Sequence, residues 1–222
     1  MSAHPAARPG TGRLLTDRPA ADRLLTDRPA SDRPATDRPA SDSGTAARLP
    51  GGSVGLDDEL LVRPLAEHDW AEVVPLEARA YGESGLSEGG EALRSRHRAA
   101  PDYCFAIEHE GEFGGYLLAL PYPLGHCPDL SRAESPAPAD STNLHAHDLV
   151  VTERLRGRGL APRLLTFLAD TARERGHTTI SLVAVRGSEV LWAPLGYLPR
   201  PEVRLPASYG DRAVYMAMPL HP

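Results

Sequence analysis

Three consecutive decapeptides, RLLTDRPAAD (13–22), RLLTDRPASD (23–32) and RPATDRPASD (33–42), keep the N-terminal stretch out of any packed core. Each copy carries at most two Leu, too little apolar surface to offset the entropy of ordering it. Pro19, Pro29, Pro34 and Pro39 remove backbone donors and block helix and strand ladders alike. A ten-residue period is also shorter than the usual solenoid units. We therefore expect residues 1–55 to be a disordered tail with polyproline II character, serving as a solvated spacer. Leu14, Leu15, Leu24 and Leu25 are its one set of candidate docking anchors. Residues 56–222 remain as one domain, enough to bury about 70% of its unfolded surface.

Charge divides along the same line. All 24 cationic residues are Arg, against 30 acidic ones, for a net charge of −6. Residues 1–50 hold eight Arg and six Asp, so the remainder carries −8. An acidic body lacks the basic face that phosphate neutralisation needs, which argues against a nucleic-acid partner. Cys104 and Cys127 make no disulfide framework and suit a reducing interior. No apolar run approaches the ~20 residues of a membrane span, and the N-terminus has no signal-like apolar region. A cytoplasmic protein with no membrane partner is expected.

Hydrophobic periodicity predicts the body's elements. Glu59–Leu65 reads as a strand, Ala66–Ala80 and Glu88–Arg98 as helices, and Phe105–His109 with Tyr116–Leu120 as a hairpin. Residues 121–142, with five Pro, read as a long loop of the kind that is often functional. Then follow a strand (Asn143–Val151), an amphipathic helix (Arg158–Arg175), a buried strand (Thr179–Val185), a short helix (Gly187–Ala193) and a last strand (Ala213–Met218). This order predicts an α/β fold with a mixed sheet.

The chemistry concentrates where Leu149-Val150-Val151 runs through a turn into Arg156-Gly157-Arg158-Gly159-Leu160-Ala161. A helix start offers unpaired N–H groups and a positive dipole end to an anion. Gly157 and Gly159 remove side chains that would hold a pyrophosphate away, and Arg156 and Arg158 add forked donors. The dinucleotide fingerprint fails, since Pro162 stands where its third Gly belongs. A P-loop is excluded because the chain has no Lys.

Arg156-x-x-Gly159-x-Ala161 resembles the R/Q-x-x-G-x-G/A signature of the GNAT N-acetyltransferase superfamily. Leu149-x-Val151 upstream and Leu195-Gly196-Tyr197 downstream match that family's strand and its "LGF" segment. The resemblance covers about residues 59–220. It implies a GNAT-like, mostly antiparallel central sheet flanked by helices, and acetyl-CoA as the donor substrate. It also implies that the cradle from Arg156 to Ala161 holds the pyrophosphate, while the backbone of Leu149–Val151 pairs with the pantetheine arm. The reaction implied is direct acetyl transfer to an amine.

Such a transfer needs a base, because only the neutral amine attacks. Strand alternation puts His145 and His147 on one face, and their reference pKa of about 6.5 suits the task. This H-x-H resembles the one in the serotonin N-acetyltransferase branch of the superfamily, where the matching pair helps deprotonate the amine. The leaving thiolate needs a proton, and the family commonly keeps a Tyr four residues before the Gly of "LGF". Here Trp192 stands there, and an indole cannot give up its proton as a phenol does. Tyr197 is the first substitute, with Tyr122, Tyr209 and Tyr215 behind it. Trp192 is then expected to pack against the cofactor, and Ser188 to hydrogen-bond it or cap the short helix.

His126, Cys127, His145 and His147 could supply zinc ligands, but 126–127 are adjacent rather than spaced as a knuckle, so no metal is expected. The expected acceptor is a small-molecule primary amine, drawn by acidic residues such as Glu83, Glu88, Asp129 and Asp140. Peptide or protein N-acetylation and a non-catalytic acyl-CoA sensor are the alternatives. A homodimer is left open.

Overall fold

The aromatic and β-branched run from Phe105 to Pro121 folds as the expected hairpin, and the rest of the sheet is laid beside it. The computed structural model describes residues 60–135 and 140–220; the tail predicted over 1–55 lies outside them. The elements are β1 (Leu60–Pro64), α1 (Trp70–Tyr81), α2 (Gly90–Ala99), β2 (Phe105–His109), β3 (Glu112–Pro121), β4 (Asn143–Val151), α3 (Leu160–Glu174), β5 (Thr179–Ala184), α4 (Glu189–Trp192), β6 (Leu198–Pro199) and β7 (Val214–Pro219). They form a seven-stranded sheet in the order β1-β2-β3-β4-β5-β7-β6. Every pairing is antiparallel except that of β4 with β5. The mixed, mostly antiparallel α/β sheet predicted from sequence is the one observed.

Helices cover both faces. Leu160, Leu164, Leu168 and Ala172 recur at helical spacing on α3 and pack against Phe105, Ile107, Leu117 and Val151. On the opposite face, Trp70, Val73 and Leu76 of α1 and Leu93 of α2 pack on Ala106, Tyr116, Leu118 and Val150. Each layer exists because strand alternation sends successive side chains to opposite faces.

Boundaries differ where local chemistry intervenes. The helix predicted from Ala66 begins as a 3₁₀ turn over Glu67–Asp69. The Asp69 carboxylate accepts the Ala66 N–H at 2.7 Å and two Arg63 N–H donors, which fixes the corner before α1. The helix predicted from Arg158 starts at Leu160, because Gly159 is left-handed at φ 75°. Two-residue β6 is too short to show any periodicity.

Two features shape the site. A Cβ at Gly115 would lie 2.5 Å from the Val150 carbonyl oxygen, so β3 and β4 can approach this closely only with glycine there. In addition, β4 pairs with β5 only over Asn143–His145 against Thr179–Ser181. Beyond that point β4 stays with β3 while β5 stays with β7, and the two strands part. The register shift opposite Leu118 and Ala119 leaves His147 as the extra, bulged residue of β4.

Candidate functional site

The parting of β4 and β5 opens a cleft of about 970 Å³, its open mouth included. Leu149 and Val150 line one wall, Leu182 and Val183 the other, and Leu165 of α3 closes the floor. Beyond His145, the backbone groups of β4 on the side of β5 have no sheet partner, so an extended ligand can pair with them.

One end of the cleft carries guanidinium and backbone N–H donors. Arg156 lines it and donates from Nη1 to Glu153 at 3.1 Å, while its buried Nε has no partner. Gly157 (φ 80°) and Gly159 turn the chain into the first turn of α3. The side chains of Leu160 and Ala161 are buried in the core, so these residues can offer a ligand only their backbone. Arg158 turns away: its Nη1 lies 3.4 Å from His109 Nε2, and it does not line the cleft. Arg79 and Arg186 do line it and were missed from sequence. Arg186 is held at φ 57° beside Gly187, and an Arg-Gly pair directly after a strand was the available signal. The donor set of this end fits a pyrophosphate.

Ser188 acts as a staple: its Oγ accepts the Val185 N–H at 3.0 Å, and the Trp192 indole N–H lies 3.4 Å from it. Trp192 lines the cleft and meets Tyr197 edge to face at 5.8 Å. Tyr197 itself lies in the core behind the indole, its phenol pushed upward by burial, and does not line the cleft. Val151 is likewise a core residue and does not line the cleft, whereas Leu149 and Val150, also buried in the core, do line it.

The other end is assembled from distant parts of the chain. His147 Nε2 lies 2.5 Å from Glu88 Oε1. Burial opposes ionisation of Glu88, but His147 and Arg96 outweigh it and hold the carboxyl below its usual range. An ionised carboxylate only accepts, so the proton in this contact belongs to Nε2, and in the neutral ring Nδ1 carries the lone pair. Arg96 Nε approaches the same nitrogen at 2.7 Å. Nε2 cannot both accept from Arg96 and donate to Glu88, so its hydrogen bond goes to Glu88, and Arg96 is held beside this nitrogen by its own pairing with Glu88. His147 Nδ1 is buried, lines no other hydrogen bond, and belongs to a residue on the cleft wall.

Arg96 is the hub behind it. Its guanidinium is 1% exposed, pairs with Glu88, and donates to the carbonyl oxygens of Asp129 (2.9 Å) and Arg132 (3.5 Å). It thereby ties the loop after β3 to α2. Asp148, next to the bulge, also lines the cleft. Its Oδ2 accepts the Tyr116 hydroxyl at 2.5 Å, and its Oδ1 has no partner. Burial pushes its carboxyl up to about 6, against the pull of Tyr116.

His145 and His147 do fall close together, with ring centroids 6.1 Å apart, but their settings differ. His145 is fully buried, stacks on Tyr215, and places Nδ1 3.0 Å from Ser181 Oγ. Burial, with His147 and Arg96 nearby, lowers it well below the usual range, so it is neutral, and it does not line the cleft. Of the acidic residues named from sequence, Glu88 is the one beside His147; the Asp129 carboxylate is taken up by Ser131 and Ser208. Among the described residues, no three His, Cys, Asp or Glu side chains gather as a metal site.

The Acetyltransferase (GNAT) family model matches residues 70–197. Among solved structures, the chain resembles a GphF GNAT-like decarboxylase in complex with isobutyryl-CoA, with TM-score 0.62 and 17% identity over 72% of this chain and 100% of that one. It also resembles N-acetylglutamate synthase from Neisseria gonorrhoeae complexed with coenzyme A and N-acetyl-glutamate (TM-score 0.57, 19% identity), over 75% of this chain and 36% of that longer one. Ard1 from Thermoplasma volcanium is similar at TM-score 0.54 and 14% identity, over 74% and 99% of the two chains. No curated protein matches.

Proposed function

The chain belongs to the acetyltransferase (GNAT) family, and on that premise we propose that it transfers an acetyl group from acetyl-CoA to a small-molecule primary amine. The observation that carries this reading is the cleft between the parted β4 and β5, with the Arg156 cradle at one end and His147 and Asp148 at the other. Arg156, Arg186 and the N-terminal N–H groups of α3 would hold the pyrophosphate. The backbone beside Leu149 and Val150 would pair with the pantetheine arm and bring the thioester to the bulge. Ser188 would act by fixing Trp192, which packs along the arm.

His147 takes the amine's proton. It would do so at Nδ1, directly or through one water, while Glu88 stabilises the charge that forms on the ring, as a carboxylate does for a base histidine. His145, neutral and wedged against Tyr215, positions the strand and the neighbouring ring. After attack the nitrogen loses a second proton as the C–S bond breaks; one of the two protons goes to the leaving sulfur from the ring or from water, since thiols have pKa about 8.5, and the other is released to solvent. Tyr197 supports the indole from behind.

The test is thiol release from acetyl-CoA across a panel of alkylamines. Wild type should release thiol only when an amine is present. His147→Gln should lose about 10²–10⁴-fold in kcat with unchanged acetyl-CoA affinity. Thiol release that ignores the amine would point to hydrolysis or to acyl-group chemistry without an acceptor. Tight acetyl-CoA binding with no turnover on amines or on peptide N-termini would mark a sensor.

A further inference from the structure

Asp148 is more buried than a carboxylate needs to be if its one task is to receive the Tyr116 hydroxyl. A single hydroxyl satisfies a single oxygen, and the neutral amide of Asn would serve as well. Instead the chain keeps an acid here that is 7% exposed, on the wall of the cleft, with the Tyr81 hydroxyl also beside it and Oδ1 without a partner at hydrogen-bonding distance. Burying an unpaired carboxylate is costly unless something arrives to neutralise it.

We propose that Asp148 is the seat for the ammonium group of the acceptor, so that this enzyme selects amines that are cationic in solution. The inference rests on the amine-acetylation reading above. Charge behind the cleft supports it. Glu77, Glu88 and Asp148 are three carboxylates with buried side chains, and Arg96 is the buried guanidinium beside Glu88. Arg96 is spent on Glu88 and on Glu134, the latter at 3.6 Å. Glu77 is occupied without a cation, accepting the Glu88 N–H at 2.8 Å and the Ser87 hydroxyl at 2.7 Å. Asp148 is therefore the one of the three with an open oxygen, and His147, its neighbour in sequence, lies close enough to act on its carboxyl. An ammonium held on Oδ1 has the proposed base beside it. It would give up its proton to His147 Nδ1, leaving a neutral amine within reach of the thioester.

The groups facing Asp148 are Glu77 and Tyr81 from α1, Glu88 from the segment before α2, Tyr116 from β3 and His147 from β4. Together with burial, the two glutamates hold the carboxyl up near 6. Ammonium binding should accordingly weaken as pH falls through about 6, where Asp148 becomes neutral.

The variant for the test is Asp148→Asn, whose side-chain oxygen can still accept from Tyr116. Two readouts are combined: kcat/KM for n-hexylamine and for a weakly basic aromatic amine that is neutral at assay pH, and calorimetric binding of n-hexylammonium and 1-hexanol to the CoA-loaded protein. The variant should lose about tenfold or more in kcat/KM and in affinity for the alkylammonium. It should lose at most twofold for the neutral amine and for hexanol, and its acetyl-CoA affinity should stay unchanged. The wild-type affinity for hexylammonium should fall below pH 6, and the variant's should be flat. Equal losses for cationic and neutral ligands, or an unchanged affinity for hexylammonium, would overturn the assignment. If wild type acetylates no amine, the functional reading fails. A loss of hexylammonium binding confined to the variant would still uphold the ammonium seat.

Discussion

The two ends of the cleft are built in opposite ways. The phosphate end is centred on one continuous stretch, Arg156 to Ala161, in which two glycines in left-handed conformation deliver the chain into α3, with Arg186 added from the turn after β5. The acceptor end is gathered from α1, the α1–α2 connection, α2, β3 and β4, and its central contacts join residues 51 and 59 positions apart. The first end is exposed, positively charged and replaceable piece by piece. The second is buried, carries an excess of carboxylates, and stands or falls with Arg96. An anion that arrives with its own solvent needs only donors at a surface, whereas proton transfer needs groups fixed against one another away from water.

Removing the hub should therefore have the largest effect. Arg96→Met strands Glu88 without its guanidinium and frees the carbonyl oxygens of Asp129 and Arg132. It should cost about 3–5 kcal/mol of stability, read as a lowered denaturant midpoint, and activity should go with it. A loss below about 1 kcal/mol would mean that the acceptor end is not the rigid unit described here.

At the phosphate end, Arg156→Ala should weaken acetyl-CoA binding about tenfold or more and leave the melting temperature nearly unchanged. Arg158→Ala should change that affinity about twofold at most, since Arg158 turns to His109 instead. Equal losses for the two would erase the distinction between the arginines of one motif.

A third prediction concerns the cost of the acceptor end. Asp148 keeps its proton to higher pH when folded, near 6, than a free Asp at about 3.8. Its ionisation thus opposes folding, increasingly as pH rises from about 4 to 6 and fully above that. Asp148→Asn should then be more stable than wild type by about 2–3 kcal/mol at pH 7, with the difference vanishing towards pH 4. Matched unfolding curves at the two pH values give the answer. A variant less stable at pH 7 would mean that the ionised carboxylate is a structural asset and not a functional expense.

The asymmetry also explains what could be read from the chain. The elements around the phosphate end follow from local rules: apolar spacing on α3, glycines in the turn, an arginine before them. His145 and His147 were legible as a pair, because strand alternation is local. The difference between them was not, since it depends on the bulge that opposes one β3 register step with an extra residue, and on Tyr215 packing over one ring. Arg96 looked like one more charge on a polar helix; only the loop folding over it makes it a buried hub. Asp148 was visible beside the pair, but its open oxygen depends on Tyr116 taking the other. Tyr197 closes the segment that resembles the family's "LGF", whereas Trp192 departs from the pattern by standing where a Tyr is common, and the fold sets the indole on the cleft with the phenol behind it.

The most direct measurement is mass-spectrometric analysis of the acceptor after incubation of the full chain with acetyl-CoA and n-hexylamine. Equal amounts of N-acetylhexylamine and free CoA thiol, both abolished in His147→Gln, are the predicted result. Thiol appearing without acetylated amine, or the same yield from the variant, would contradict the account.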